Sequence, residues 1–501
     1  MYAFFRRLPP LLRRLDRLKP LARLLPLLYF ALSAWTVVNM VPHEAYNDPD
    51  TFWHIELGNY MTEHRTVLYH AIHTFYDDKL PYVPHEFGFQ LIVSFLYRSF
   101  GWAGTYLLTA FCLLMLTLGL YRLTRISRKE LGLGEHHFLL FLFVLPVIYY
   151  IYLYYFTTRP QMISAFLIVW FFVFLREFRL RPSLKYALPM IGISLGIANI
   201  HAGVWPVLVV FTAMAAAEAL LERSMTRWKA LAFAAIVLAG LLNVGGLDNL
   251  TYITKVTHND FNMMINEWQP VKFSDPLQPR TILLLTFGAL VPFSIARSPF
   301  RLMFMLGILF LGVSSYKMNL YMWLFVPYFA GTALEMLPWR QRLTFRFSRA
   351  LFIGGLAAGL AYNIYSVFDS PPAVNDVRYP VKEMDYILAE TPDGERPRVL
   401  ARYGESGYVM FRGGDVLTDG RQDPFVTDQS KGVFGWTAFE RSMKGFNLQL
   451  PQIVAYDKPD YVIVKKNTSY SMVRIWEEKF GRPVFTGSYG SVYRIPPSFK
   501  A

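Results

Sequence analysis

Apolar runs that recur down the chain, separated by segments that are alternately basic and mixed in charge, constrain this sequence more than any motif in it. They fall near 24–41, 102–121, 137–156, 160–175, 184–199, 204–221, 229–243, 280–296, 300–314, 318–337 and 349–366. A helix needs roughly 20 apolar residues to cross a bilayer. Several runs are nearer 16, so they call for local thinning, snorkelling or burial among neighbours. The segments at 1–23, 122–136, 176–185, 222–228, 297–301 and 338–349 are all basic, with Arg122/Arg125/Arg128/Lys129 and Arg176/Arg179/Arg181/Lys185 as examples. The alternate segments, 42–101, 157–159, 200–203, 244–279, 315–317 and 367–501, are long or very short and mixed in charge. Lys and Arg mark cytoplasmic loops. The pattern predicts an α-helical polytopic membrane protein of about eleven spans, with the N-terminus inside and the C-terminal tail outside. Glu86–Phe100 reads as a helix lying on the outer face, because counting it as a span inverts every later loop.

Composition supports this class. Of 501 residues 54% are hydrophobic and only 17% charged, which excludes a disordered chain and an ordinary soluble enzyme. The net charge of +14 belongs to loops that face anionic lipid, so nucleic acid is not expected as a partner. Residues 1–23 carry Arg6, Arg7, Arg13, Arg14, Arg17, Lys19 and Arg23, with leucines at helical spacing between them. They predict a basic amphipathic helix on the inner surface. A cleaved signal peptide is the alternative, but no small-x-small site follows the apolar run. The single cysteine, Cys112, excludes an intramolecular disulfide and reads as a buried thiol.

The chain therefore divides into the helix at 1–23, a membrane domain at 24–366 whose first outer loop is 42–101, and a tail at 367–501. The tail is polar, with turn signals at Pro371-Pro372, Gly413-Gly414 and Asp419-Gly420. Strands are expected at Val399–Arg402, Tyr461–Val464 and Ser491–Ile495, and helices at Val381–Ala389 and Met472–Lys479. This makes a small extracytoplasmic α/β domain.

Costly polar residues gather on the outer side. Asp48 and Asp50 flank a proline just after the first run, and Thr51–Met61 reads as a helix with His54 one turn beyond Asp50. Two carboxylates and an imidazole in that pattern suit a divalent cation (Mg, Mn or Zn). One carboxylate suits a general base, and a helix cap is the structural alternative for Asp50. Glu86, after His85, opens the next helix and has the same alternative. Arg159 stands at a span terminus, where it serves either as a bidentate phosphate ligand or as an interfacial anchor. Asn199 and His201 close one span, Asn243 closes another, Glu267 and Trp268 lie in the next outer loop, and Lys317 sits in a tight outer turn. Ionisable residues at membrane depth are functional candidates. The chain lacks a Walker A loop, a serine nucleophile elbow and a His-Glu-x-x-His helix.

Taken in order, these residues resemble the GT-C superfamily of integral membrane glycosyltransferases, and in particular a group of bacterial polytopic proteins. The resemblance rests on Asp48-Pro49-Asp50-Thr51-Phe52-Trp53-His54-Ile55-Glu56-Leu57-Gly58, His85-Glu86, Arg159-Pro160-Gln161, Asn199 to Gly203, Asn243 and Glu267-Trp268-Gln269-Pro270. Gly407-Tyr408 and Asp419-Gly420-Arg421 extend it into the tail. Where the group often has Asn-Pro-Tyr-Gly, this chain has Asn243-Val244-Gly245-Gly246.

The resemblance implies location in the bacterial cytoplasmic membrane. It implies transfer of a sugar from a polyprenyl-phosphate donor to an extracytoplasmic glycan, lipid or protein acceptor. It also implies an inverting displacement with Asp50, or else Asp48, as the base. Arg159, His201 and Lys317 would hold the carrier phosphate, and His54, Glu86, Asn199, Glu267 and Trp268 would contact substrate. Some families in the superfamily use a divalent cation, for which Asp48, Asp50 and His54 are the ligand set. A transporter of lipid-linked glycan and a non-catalytic scaffold are the competing functions. A transporter calls for polar residues at mid-span, and the runs here are mostly apolar at their centres.

Overall fold

The computed structural model describes residues 48–76, 79–130, 151, 155, 157–257, 265–270, 299–335, 348–370 and 373–499. The expected inner-surface helix and the runs at 24–41 and 280–296 lie outside the described residues, as does 137–156 apart from Ile151 and Tyr155.

Among the described residues two helices precede the helical bundle, α1 (Asp50–His64) and α2 (Phe87–Phe100). The bundle follows as α3 (Trp102–Glu130), α4 (Pro160–Leu180), α5 (Leu184–Ile200), α6 (Trp205–Leu221), α7 (Arg227–Gly240), α8 (Gly246–Thr257), α9 (Pro299–Ser314), α10 (Asn319–Glu335) and α11 (Ser348–Asp369). Each apolar run within the described residues became one helix. Trp102–Glu130 and Ala202–Leu221 are long and apolar enough to cross a membrane, and Leu184–Ile200 and Phe300–Ser314 are shorter apolar helices. A continuous apolar core runs between them through Leu116, Ile168, Phe172, Leu208, Phe304 and Phe325.

The two ends of the bundle differ chemically. At one end basic and acidic side chains lock helices together. Arg176 meets Glu130 and Glu218, each at 2.5 Å, and Arg122 and Lys129 meet Glu177, each at 3.1 Å. Tyr328 donates to Glu130 at 2.6 Å. Arg122, Lys129, Glu130, Arg176 and Glu177 come from the segments read as cytoplasmic, and Glu218 and Tyr328 from apolar runs that reach the same end. The start of α4, the end of α5 and the turn before α10 lie at the other end, where Arg159, His201 and Lys317 stand.

The tail forms a lobe of α12 (Val381–Ala389), β1 (Val399–Leu400), α13 (Tyr403–Phe411), α14 (Ala438–Lys444), α15 (Leu450–Asp457), β2 (Tyr461–Lys465), α16 (Tyr470–Phe480), β3 (Phe485–Thr486) and β4 (Gly490–Arg494). The sheet order is β1-β2-β4-β3, with β1 and β2 parallel and the other pairs antiparallel. The three expected strands are present; β3 and helices α13 to α15 are additions. β3 spans two residues and α14 seven, too short to show a periodicity.

The first loop is built into this lobe. Phe52, Trp53, Leu57 and Met61 of α1 share a core with Tyr379, Met384, Tyr408 and Val492. Burying each such side chain is worth about 1.5–3 kcal/mol. The segment after α1 adds a parallel bridge between Thr74 and Val416, closed by Phe75 N–H to Val416 O at 3.0 Å and Val416 N–H to His73 O at 3.1 Å. On its other side α1 crosses α2 at Gly58, where a Cβ would run into the Gln90 carbonyl and Ser94.

Candidate active site

A cavity of about 520 Å³ opens where α1, α2, α4, α5 and the turn before α10 meet the lobe. Asp50, His54, Glu86, Arg159, His201, Glu267, Trp268 and Lys317 all line it. The folded chain thus gathers residues that lie up to 267 positions apart. Asp48 and Asn199 do not line it.

Local structure explains each placement. Asp50 is the first residue of α1, whose N-cap position is held by Pro49, and Glu86, at the N-cap of α2, makes no side-chain cap bond. The capping alternatives are therefore not what these acids do. Asp48 instead fixes the helix start by accepting from Asp50 N–H at 3.0 Å. Asn199 is a tie-rod: it donates to Leu195 O and Leu242 O, each at 3.0 Å, and accepts from Val244 N–H at 3.2 Å. Asn243 braces the same turn by accepting from Gly245 N–H at 3.1 Å.

Arg159 is the electrostatic centre. Its Nε meets Asp48 at 2.8 Å, one Nη meets Asp50, and the other meets Glu267 at 3.1 Å. Glu267 bridges onward to Lys317 at 3.2 Å, and the Lys317 ammonium stands 4.6 Å from the Trp268 ring centre. Backbone bonds from Lys317 N–H to Glu267 O (2.8 Å) and Tyr316 N–H to Gln269 O (3.1 Å) clamp the two loops together. Burial pushes Glu267 upward, but Lys317 and Arg159 overcome it and hold the carboxyl down at about 2. Asp50 goes the other way, to about 6, because its burial outweighs Arg159.

A second group surrounds Glu86. His85 Nε2 is 3.6 Å and His54 Nε2 3.8 Å from Glu86 Oε2. His85 Nδ1 bonds to Val83 O at 2.8 Å; the carbonyl can only accept, so Nδ1 carries the proton and Nε2 is a lone pair in the neutral ring. The His85 ring stacks on Tyr252 at 3.7 Å, and Tyr252 donates to Asp423 at 3.2 Å. Burial lowers His54, His85 and His201, and all three are neutral near pH 7. His201 therefore offers a hydrogen bond rather than a charge, and it already pairs with Ser164 at 2.9 Å.

Asp48, Asp50 and His54 do not fit a divalent cation. Both acids close on Arg159 while His54 turns to Glu86. Among the described residues no group of three or more His, Cys, Asp or Glu side chains is arranged to hold a metal.

The lobe supplies wall residues that the sequence did not reveal as site residues: Tyr403, Gly404, Arg421, Gln422 and Met443. Arg421 is fully buried against Asp419 and donates to Ile72 O at 2.9 Å. The Asp419-Gly420-Arg421 motif was visible, but nothing in a polar tail says which loop turns toward a cavity.

No family model matches the chain, and no curated protein matches it in sequence. Solved structures do match. ArnT from Cupriavidus metallidurans in the apo state aligns with a TM-score of 0.53 at 13% identity, over 95% of this chain and 98% of ArnT. The same protein bound to undecaprenyl phosphate gives 0.51 at 14% identity over the same shares. The apo oligosaccharyltransferase of Archaeoglobus fulgidus gives 0.50 at 13% identity, over 94% of this chain and 74% of that one. Both neighbours are GT-C superfamily members. This chain has the GT-C fold. The alignments cover 94–95% of the chain, in keeping with the fold that the resemblance in its sequence implied.

Proposed function

We propose that this protein is a membrane glycosyltransferase that moves a sugar from a polyprenyl-phosphate donor to an acceptor on the outer side of the membrane. The observation that carries the reading is the cavity: acids and cations collect at one end of an apolar bundle, in a fold shared with a protein that binds undecaprenyl phosphate. The sorting of the charges supports the orientation. The described basic segments lie at the bundle end opposite the cavity, which supports an outward-facing cavity under the positive-inside rule.

The chemistry follows from the parts. A lipid-linked donor is already activated as a phosphate ester. The acceptor oxygen attacks the anomeric carbon, the carbon–oxygen bond to phosphate breaks, and its electron pair leaves on the phosphate. A first-loop carboxylate takes the hydroxyl proton. Lys317 and Arg159 face the departing charge and would neutralise it. Lys317 is the better placed of the two: it has one carboxylate partner, Glu267, where Arg159 has three. The phosphate would displace Glu267 from Lys317.

The test is transfer itself. Protein in lipid nanodiscs is given extracted polyprenyl-phosphate sugars, and release of free polyprenyl phosphate is followed. Wild type should release it, and Lys317→Ala should slow release on the order of 10²-fold. Movement of the donor between leaflets without release would make the protein a transporter.

A further inference from the structure

We propose that Glu86, held between His85 and His54, is the general base that takes the acceptor's proton. The inference rests on the glycosyltransferase reading above and moves to Glu86 the step that the resemblance to GT-C enzymes implied for Asp50.

Two first-loop carboxylates line the cavity, and they differ in their partners. Asp50 is engaged by a cation: one oxygen is bound by Arg159. The other lies beside Gly420, so close that a Cβ there would collide with it. Glu86 has no cation against it. Its neighbours are two neutral imidazoles at 3.6 and 3.8 Å. Those distances exceed a hydrogen bond, and such contacts commonly tighten only once substrate is bound.

The two histidines play different parts. His85 is locked by Val83 O and by its stack on Tyr252, so its Nε2 lone pair faces Glu86. It can share the proton that Glu86 receives. The Nδ1 of His54 is buried without a partner, between the rings of Trp53 and Phe89. A buried unpaired ring nitrogen is costly, and its persistence beside Glu86 is expected of a group kept for a task.

The charges facing Glu86 do not cancel this. Lys317 and Arg159 favour the carboxylate, while Glu267 disfavours it; Asp423, Tyr82 and Tyr252 lie within electrostatic reach, and His201 faces the same space. Burial outweighs them all, and the carboxyl is raised to about 7. A base poised there combines proton affinity with a sizeable ionised fraction at neutral pH. In the step, the acceptor O–H bond breaks as the new bond to the anomeric carbon forms. The proton goes to Glu86, and the leaving electron pair goes to the lipid phosphate.

The experiment is the pH dependence of kcat for transfer, measured on wild type, Glu86→Gln, Glu86→Asp and Asp50→Asn in nanodiscs. Binding of polyprenyl phosphate, measured separately, certifies that each variant is folded. A base works only when ionised, so wild-type kcat should rise as pH climbs to about 7 and then level. Glu86→Gln should bind polyprenyl phosphate, lose on the order of 10²–10⁴-fold in kcat, and lose the rising limb. Glu86→Asp should restore a limb at reduced rate, and Asp50→Asn should keep the limb in place. A limb that survives in Glu86→Gln, or vanishes in Asp50→Asn, overturns the assignment while leaving the glycosyltransferase standing. A folded wild type that transfers from no polyprenyl-phosphate sugar overturns both.

Discussion

Arg159 stabilises three carboxylates with one planar group, which only a guanidinium can do. Removing it leaves Asp48, Asp50 and Glu267 crowded together in a largely buried corner. Breaking a buried pair by removing one partner costs about 3–5 kcal/mol. Arg159→Ala should therefore lower the denaturation midpoint by a loss of that size, and Arg159→Lys should recover part of it, since an ammonium replaces the charge but not the fork. An unfolding curve identical to wild type would show that the acids find other partners. The residue types were legible in the sequence, because acids, imidazoles and cations at one face of a membrane protein are expensive. Their pairing was not. Arg159 read as a phosphate ligand or an interfacial anchor; in the fold it faces Asp48, Asp50 and Glu267, and Glu267 joins it to Lys317 from a loop 108 residues downstream. Pairing depends on which loops meet, and single-sequence spacing carries no such information.

At the scale of elements, α1 and α2 are one device. Asp50 and His54 lie on the first helix and Glu86 opens the second, so their spacing is set by how closely the two cross. Gly58 sets it, with Gln90 O and Ser94 against its Cα, and Ser94 adds a bond to Asn59 at 2.8 Å. A side chain there has to push backbone, which cannot yield as a flexible side chain would. Gly58→Val should cost about 1–3 kcal/mol as overpacking and should move Glu86 away from His54. Thermal unfolding reads the first effect. The second should appear as a fall in kcat larger than any change in polyprenyl phosphate binding; a fall in binding alone would place Gly58 in stability only. Helix positions in the bundle were legible because their apolar runs are long: α5 and α6 match their runs to within a residue. The lobe was legible only in part. Its expected strands are apolar and regular, whereas α13, Tyr403–Phe411, carries two glycines and a cavity-facing Tyr403, so no period marks it.

At the scale of the whole molecule, the lobe is a wall of the cavity and not an appendage. Its contact with the bundle's first loop is made of backbone as much as side chains: the Thr74–Val416 bridge, Arg421 on Ile72 O, and Gly420 against Asp50 and Trp53. The last of these joins the two halves at the cavity itself. Gly420 stands outside the four-stranded sheet, so a side chain there should leave the lobe folded and yet prevent it from closing on α1. Gly420→Val is expected to keep the hydrogen-exchange protection of β2 and β4 while exposing 72–76 and 416–422. Misplacing catalytic parts by about 1 Å costs about 10²-fold in rate, so transfer should fall by at least that much even though no charged group has been altered. If the exchange pattern changes as described and transfer does not, the lobe merely covers the cavity. If both change together, the tail is part of the catalytic unit, and the split between membrane domain and outer domain read from composition does not describe how the protein works.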